Sequence, residues 1–246
     1  MLAKPSKIIL VVVAYYLSGD TLRKFVDDIR NRTNASDVIV ILNSISTIPP
    51  NFFEKLHVIT GTNLKLDISG YLEAYLYAKS NLHLQKNEIF VFANDSIARK
   101  HNLTLLAKSA NLFLLKMRSW KFYSGVSMRL KLNNGEYFTY ISTYFVITNV
   151  ASIEMLYKDF ISNFRSYRRR LNSVLSHSFD YSWRPAGDVI VTRKMLRNKR
   201  FCVFVEMSFS LMAKEKGMYF SIPFVRLIKF SRFLIKIRNY FGKKIL

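Results

Sequence analysis

The run Glu88–Ile97, EIFVFANDSI, closes an apolar stretch with three small polar side chains, Asn94, Asp95 and Ser96. The apolar residues Ile89–Ala93 predict a strand covered on both faces. Such a strand delivers the polar residues at its end to the carboxyl edge of a sheet, where open α/β sheets keep their ligands. A carboxylate there, between an amide and a hydroxyl, can hold a divalent metal on a diphosphate or grip a ribose, because hard cations take oxygen ligands. The plainer alternative is a strand that stops at a polar turn, with Asp95 or Ser96 capping the next helix.

Other chemistries have little support. His57, His83, His101 and His177 are scattered without metal-ligand spacing, so a zinc site is not expected. The glycine patterns of P-loop, dinucleotide and serine-hydrolase sites are absent from the chain. Cys202 is the single cysteine, which excludes an intramolecular disulfide, and its neighbours Phe201, Val203 and Phe204 predict a buried structural thiol. Formal net charge is +22, from 38 Lys and Arg against 16 Asp and Glu, enough to attract a negatively charged partner over long range.

The composition, 50% apolar and 15% aromatic in 246 residues, is that of a folding chain with a full core. Lysines followed by the apolar run Ile8–Leu17 look superficially like a signal peptide. The run is short, rich in β-branched residues and without a small-x-small cleavage site, so it reads as a first strand. Ile8–Tyr16, Gly19–Arg30 and Asp37–Asn43 then form a strand, a helix and a strand. His57–Thr60 is a short strand beyond Pro49-Pro50, Ile68–Ser80 a helix, and Ile89–Ala93 a strand. This alternation predicts a doubly wound, mostly parallel sheet through about residue 100, with helices on both faces.

Beyond it the pattern is mixed. Ala110–Leu115 and Phe122–Arg129 read as extended, Asn133-Asn134-Gly135 as a turn, Phe138–Thr148 as a strand and Ser152–Phe164 as a helix. Arg165–Arg170 holds four arginines, as a solvated helix face or a phosphate contact. From Pro223 to Leu246 there is no acidic residue, and Arg226, Lys229, Arg232, Lys236 and Arg238 interleave with Phe224, Leu227, Ile228, Phe230, Phe233 and Leu234. On a helix this gives an apolar stripe beside a cationic face, which predicts a basic amphipathic extension held on an anionic membrane surface. The organisation expected is one α/β domain over 1–205 and the extension over 206–246.

Four segments in order resemble bacterial glycosyltransferases of the GT-A type, in particular the group related to rhamnan synthesis protein F, which builds cell-surface polysaccharide. They are VVVAYYLSGDTLRKFVDDI with DVIVILNS; the stretch Asn63-Leu-Lys-Leu-Asp67-Ile-Ser-Gly70 ahead of a helix; FVFANDSI; and Ser124-Gly125-Val126 followed by TYISTYFVITNVASIEMLYKDF. They span roughly the first two-thirds of the chain. It departs from the pattern at Ile141, where glutamine is expected before Ser142, and at Lys65, which replaces the first glycine.

The resemblance implies a GT-A-like, Rossmann-like fold and transfer of a sugar from a nucleoside diphosphate to a growing, lipid-linked surface glycan. Donor contacts fall on Asn63, Asp67, Gly70, Asn94, Asp95, Ser96 and Arg99, with Asp67 on base or ribose and Gly70 permitting close backbone approach. Acceptor contacts fall on Gly125, Ser142 and Tyr144. The departing diphosphate needs charge stabilisation, by Mg2+ or Mn2+ on Asp95 or by Lys and Arg, with Arg99, Arg118 or Arg129 as candidates. An inverting transfer needs a carboxylate base, first Asp188 and second Asp180. The expected place is the cytoplasmic side, peripheral on the inner face of the plasma membrane. Two other readings compete. A nucleic-acid-binding protein would use basic charge interleaved with aromatics, but the basic residues concentrate after Arg165, away from Asn94, so no nucleic-acid partner is expected. A non-catalytic membrane-surface adaptor would keep the domain without its chemistry.

Overall fold

The computed structural model describes residues 7–43, 56–97, 120–132, 134–178 and 190–222. Arg99, Arg118, Asp180, Asp188, Pro49-Pro50, the expected strand Ala110–Leu115 and the basic segment 223–246 lie outside the described residues.

Among the described residues the chain forms an α/β sheet of seven strands with helices on both faces, as its alternating pattern predicts. Strands β1 (Ile8–Ala14), β2 (Asp37–Leu42), β3 (His57–Thr60) and β4 (Ile89–Asn94) make a parallel half. Strands β5 (Tyr123–Lys131), β6 (Tyr137–Asn149) and β7 (Tyr219–Ile222) complete it. The order is β3-β2-β1-β4-β6-β5-β7. Strand β6 runs antiparallel to both neighbours, and β7 parallel to β5. The chain winds outward from β1 to β3 and then returns to place β4 on the other side of β1. The gap between the carboxyl ends of β1 and β4 is therefore the topological switch point, where such sheets leave a crevice.

Both faces of the central strands are covered, so Ile9 through Val13 expose no surface and alternate between two cores. Leu10, Val12 and Ala14 meet helix α1 (Gly19–Thr33), whose Leu22, Phe25, Val26 and Ile29 recur at helical spacing. Ile9, Val11 and Val13 face the other core. Helix α2 (Asp67–Asn81) brings Tyr71, Ala74, Tyr75 and Ala78 to it. Helix α3 (Val150–Ser178), kinked at Asn163 (φ −114°, ψ 16°), brings Leu156, Tyr167 and Leu171. Helix α4 (Arg193–Glu215) adds Phe204, Val205 and Met207. No described helix is long and apolar enough to cross a membrane.

One expectation changes. Helix α4 runs unbroken through residue 205 and leads into β7, an edge strand of the same sheet, so the α/β domain extends at least to Ile222. Helix α4 begins at Arg193, with the Thr192 hydroxyl accepting from the Met195 N–H at 3.2 Å.

Gly70 and Gly125 each set a close contact. A Cβ on Gly70 would lie 2.8 Å from Val13 Cγ2 and 3.0 Å from Cγ1, so Gly70 lets α2 pack onto β1. A Cβ on Gly125 would strike the Phe145 carbonyl oxygen, at the point where the β5–β6 register shifts in a bulge. Gly70→Ala is expected to destabilise by roughly 1–3 kcal/mol through overpacking. Adding Val13→Ala should recover part of that loss in a urea-unfolding double-mutant cycle; strictly additive effects would place the strain elsewhere.

Candidate functional site

The switch point between the ends of β1 and β4 is organised by Asp95, but not as a metal ligand on its rim. Asp95 is fully buried, and its Oδ2 accepts the backbone N–H groups of Tyr15, Tyr16 and Leu17 at 2.8, 2.5 and 2.8 Å. Three successive amides converging on one oxygen form an anion-binding nest at the β1–α1 turn. In this chain the nest is filled by the protein's own carboxylate. Burial raises the Asp95 pKa, and the three N–H groups work against that rise. Where Asp95 was expected to carry a metal or pyrophosphate, one of its oxygens is committed to backbone, and the other, Oδ1, is buried with no hydrogen-bond partner among the described residues. That donor set does not fit a divalent cation, and no three His, Cys, Asp or Glu among the described residues gather in a way that could hold one.

Asn94 and Ser96 follow the plainer alternative. The Ser96 N–H donates to Asn94 Oδ1 at 3.1 Å, which turns the chain out of β4. Asn94 Nδ2 is buried, faces Asp67 and makes no hydrogen bond of good geometry. At the neighbouring end of β2, Asn43 Nδ2 donates to the Tyr15 hydroxyl at 2.9 Å, while Asn43 Oδ1 is buried against Gly61 without a partner. Asn63, exposed, donates from Nδ2 to the Asn43 carbonyl at 3.4 Å. The ends of β2 and β4 therefore present three buried polar atoms without a hydrogen-bond partner among the described residues: Asn43 Oδ1, Asn94 Nδ2 and Asp95 Oδ1.

Behind them lies a buried carboxyl pair that the residue pattern did not anticipate. Asp67 opens α2 after Leu66, which sits at φ +52°, ψ −137°, a conformation that strains any residue with a Cβ. The turn sends the Asp67 side chain inward rather than leaving it as a helix cap. The Thr143 hydroxyl of β6 lies 3.0 Å from Asp67 Oδ2 and 2.5 Å from Glu206 Oε1, and the Thr143 N–H donates to the same Glu206 oxygen at 2.8 Å. One hydroxyl hydrogen cannot serve two carboxylates, so the arrangement is satisfied when one carboxyl is itself protonated. Burial raises both pKa values, opposed by the Lys199 ammonium and by Thr143. For Lys199 the order is reversed: burial works to lower its pKa, but Glu206 and Asp67 hold it above the ordinary value. Lys199 is half-buried, with its Nζ 5.9 Å from the centre of the Tyr144 ring.

Among the expected site residues, the fold gathers Asn63, Asp67, Asn94, Asp95, Ser96, Ser142 and Tyr144 around the ends of β2, β4 and the facing stretch of β6. Ser142 is buried and its Oγ accepts the Tyr144 N–H at 3.5 Å. Gly70 packs on Val13 and lies beside Asn43 Nδ2, and Gly125 makes the bulge between β5 and β6. Arg129 is exposed on β5. Cys202 is buried, donates to the Lys65 carbonyl at 2.8 Å and has its thiol pushed up by burial, as a structural cysteine should. The residues missed were Tyr15, Asn43, Thr143, Lys199 and Glu206. Two of them carried a signal: Asn43 ends an apolar strand as Asn94 does, and Glu206 is the one acid inside CVFVEMSFS.

The pair yields a stability prediction. Carboxyls whose folded pKa is raised favour the fold most below their unfolded pKa and lose that contribution as pH climbs through the folded value. Wild-type stability should therefore rise as pH falls from 7 toward 5, and Glu206→Gln should flatten that slope. Lys199→Met, which leaves two carboxyls without their cation, should cost roughly 3–5 kcal/mol at pH 7. Chemical denaturation at several pH values reads both, and a slope unchanged in Glu206→Gln contradicts the assignment. Searches against family models and against curated proteins find no match to this chain.

Proposed function

We propose that the chain is a GT-A-type glycosyltransferase that takes a nucleoside-diphosphate sugar at the switch-point crevice. It moves the sugar to a growing lipid-linked surface glycan at the cytoplasmic face of the plasma membrane. The observation that carries this reading is a pair of buried polar atoms with no hydrogen-bond partner among the described residues, Asn43 Oδ1 at the end of β2 and Asn94 Nδ2 at the end of β4, on either side of β1. Buried polar groups are nearly always paired, and a cluster of exceptions at one crevice calls for a polar ligand. A strained leucine beside it fits the same reading, because strain gathers where a site is held in shape. The sheet, parallel in its first half and mixed in its second, is also what the resemblance implies.

The division of labour differs from the one expected. Asp95 is a positioning residue that fixes the β1–α1 loop, leaving Asn43, Asn63 and Asn94 to meet base, ribose or sugar. Diphosphate charge falls to cations, with Lys199 beside Tyr144 and Arg99 in the proposal. Asp67 and Glu206 are too deeply buried to deprotonate an acceptor. Asp188 first and Asp180 second remain the proposed bases.

A second reading has one specific observation in its favour. The carboxylate on which the chemistry was expected to turn is sealed, which suits a cationic α/β domain that binds without catalysing. The two part on turnover. Uridine or thymidine diphosphate should raise the melting temperature, by about 2.7 kcal/mol of stabilisation at a hundred times Kd, and Asn63→Ala should abolish most of the shift. Sugar donors should then release diphosphate when a lipid-linked acceptor is added. Binding without release supports the second reading, whereas tighter binding of single-stranded nucleic acid with a steep salt slope sinks both.

Peripheral attachment is proposed through the basic segment beyond Ile222, where each cation near an anionic surface adds about 1 kcal/mol. Removing residues 224–246 should release the protein from anionic liposomes in a flotation assay; unchanged flotation contradicts that attachment.

A further inference from the structure

A cleft of about 460 Å³ opens between α2, α3 and α4 above the sheet. Its floor is Phe92, Tyr123, Val146 and Thr148, and its walls include Leu72 and Tyr75 of α2, Ile153 and Phe160 of α3, and Phe201, Val205 and Phe209 of α4. Its volume is that of a ligand pocket, and its lining is almost wholly apolar. The rim is apolar and exposed as well, with Leu64 62%, Ile161 58% and Leu76 53% accessible. Tyr75 and Lys79 of α2 both reach Glu154 of α3, at 3.0 and 3.6 Å, which ties the two helices together.

Two features say what chemistry the occupant has. The first is charge. Lys65 stands at the cleft with its Nζ 5.4 Å from the Phe201 ring centre and 3.1 Å from Asn198 Oδ1. The stripe Phe201, Val205, Phe209 continues toward the start of α4 as Arg197 and Lys194, one and two turns earlier on the same helix face. The first turn of α4 holds no acid, and the acid on the cleft wall, Glu73, is already bonded to the Thr62 hydroxyl and to its N–H at 3.2 Å. The second is continuity: Thr143 and Tyr71 line the cleft, and Thr143 is also the residue that bonds Asp67 and Glu206 beneath the switch-point crevice.

We infer that this cleft takes the hydrocarbon chain of an anionic lipid, with the lipid's phosphate at Lys65 and Arg197. Its role as the carrier of the sugar acceptor rests on the transferase reading. The binding itself does not, because it is read without nucleotide or sugar transfer. Each methylene drawn from water into the cleft should tighten binding roughly fourfold until the cleft is full.

The test is titration of the full chain with monomeric alkyl phosphates of increasing length, beside alkyl alcohols of the same lengths and inorganic phosphate. Expected are saturable one-to-one binding, a steep dependence on chain length and a preference for phosphate over alcohol. Lys65→Gln should remove that preference and leave alcohol binding intact. Leu76→Asp and Ile161→Glu change exposed rim residues and should weaken both ligands at least tenfold, with thermal melts confirming the fold. Absence of saturable binding, independence of chain length, or inorganic phosphate binding as tightly as its alkyl esters overturns the inference. Loss of nucleotide binding with alkyl phosphate binding retained defeats the transferase reading alone.

Discussion

The structure turns on one carboxylate oxygen. Asp95 Oδ2 gathers the N–H groups of Tyr15, Tyr16 and Leu17 and so joins the end of β4 to the turn that leaves β1. Those strands are neighbours in space but far apart in the chain, and the switch point lies between their ends. Each charge-assisted bond of this kind contributes about 1.5–3 kcal/mol, more than the neutral bonds around it. The outlay of burying a carboxyl is offset by fixing the loop against which the rest of the crevice is built.

That constraint reshapes the chemistry open to the site. An amide nest at the first turn of a doubly wound sheet is a natural seat for an anion, and here it is occupied from within. A ligand proposed for this site would meet amide side chains and cations instead. The carboxyl pair beneath, Asp67 and Glu206 with Thr143 between them, is held by Lys199 on the side toward Tyr144. A lysine that answers two buried acids is fixed in place, so the crevice gains a positioned positive charge and the pair gains its counter-ion. The apolar cleft begins on the other side of Thr143, which puts a polar and an apolar site wall to wall.

The parallel half was legible because each element announced itself through local physics. Ile89–Asn94 is a fully buried strand and reads as an unbroken apolar run, and His57–Thr60 forms where its β-branched residues predict. The amphipathic spacing of Leu22, Phe25, Val26 and Ile29 fixed α1 in the same way. Helix α4 and β7 were less legible. The stretch Phe201–Val205 is as apolar as a strand, and only its length and packing make it a helix. At the site, the sequence could place Asn94 and Asp95 at a strand end but not say where their side chains turn. The direction of Asp95 depends on amides some eighty residues earlier. Glu206 and Thr143, whose partnership is wholly tertiary, left almost no local trace.

The central claim is that the crevice between the ends of β1 and β4 is where a nucleoside-diphosphate sugar binds. The most direct measurement is a crystal structure of the chain soaked with uridine diphosphate. The account predicts the nucleotide between the β1–α1 loop and Asn43, Asn63 and Asn94, with Asn43 Oδ1 or Asn94 Nδ2 newly paired and Asp95 still bound to its three amides. Nucleotide density confined to another surface, with those atoms unpaired as before, would contradict it.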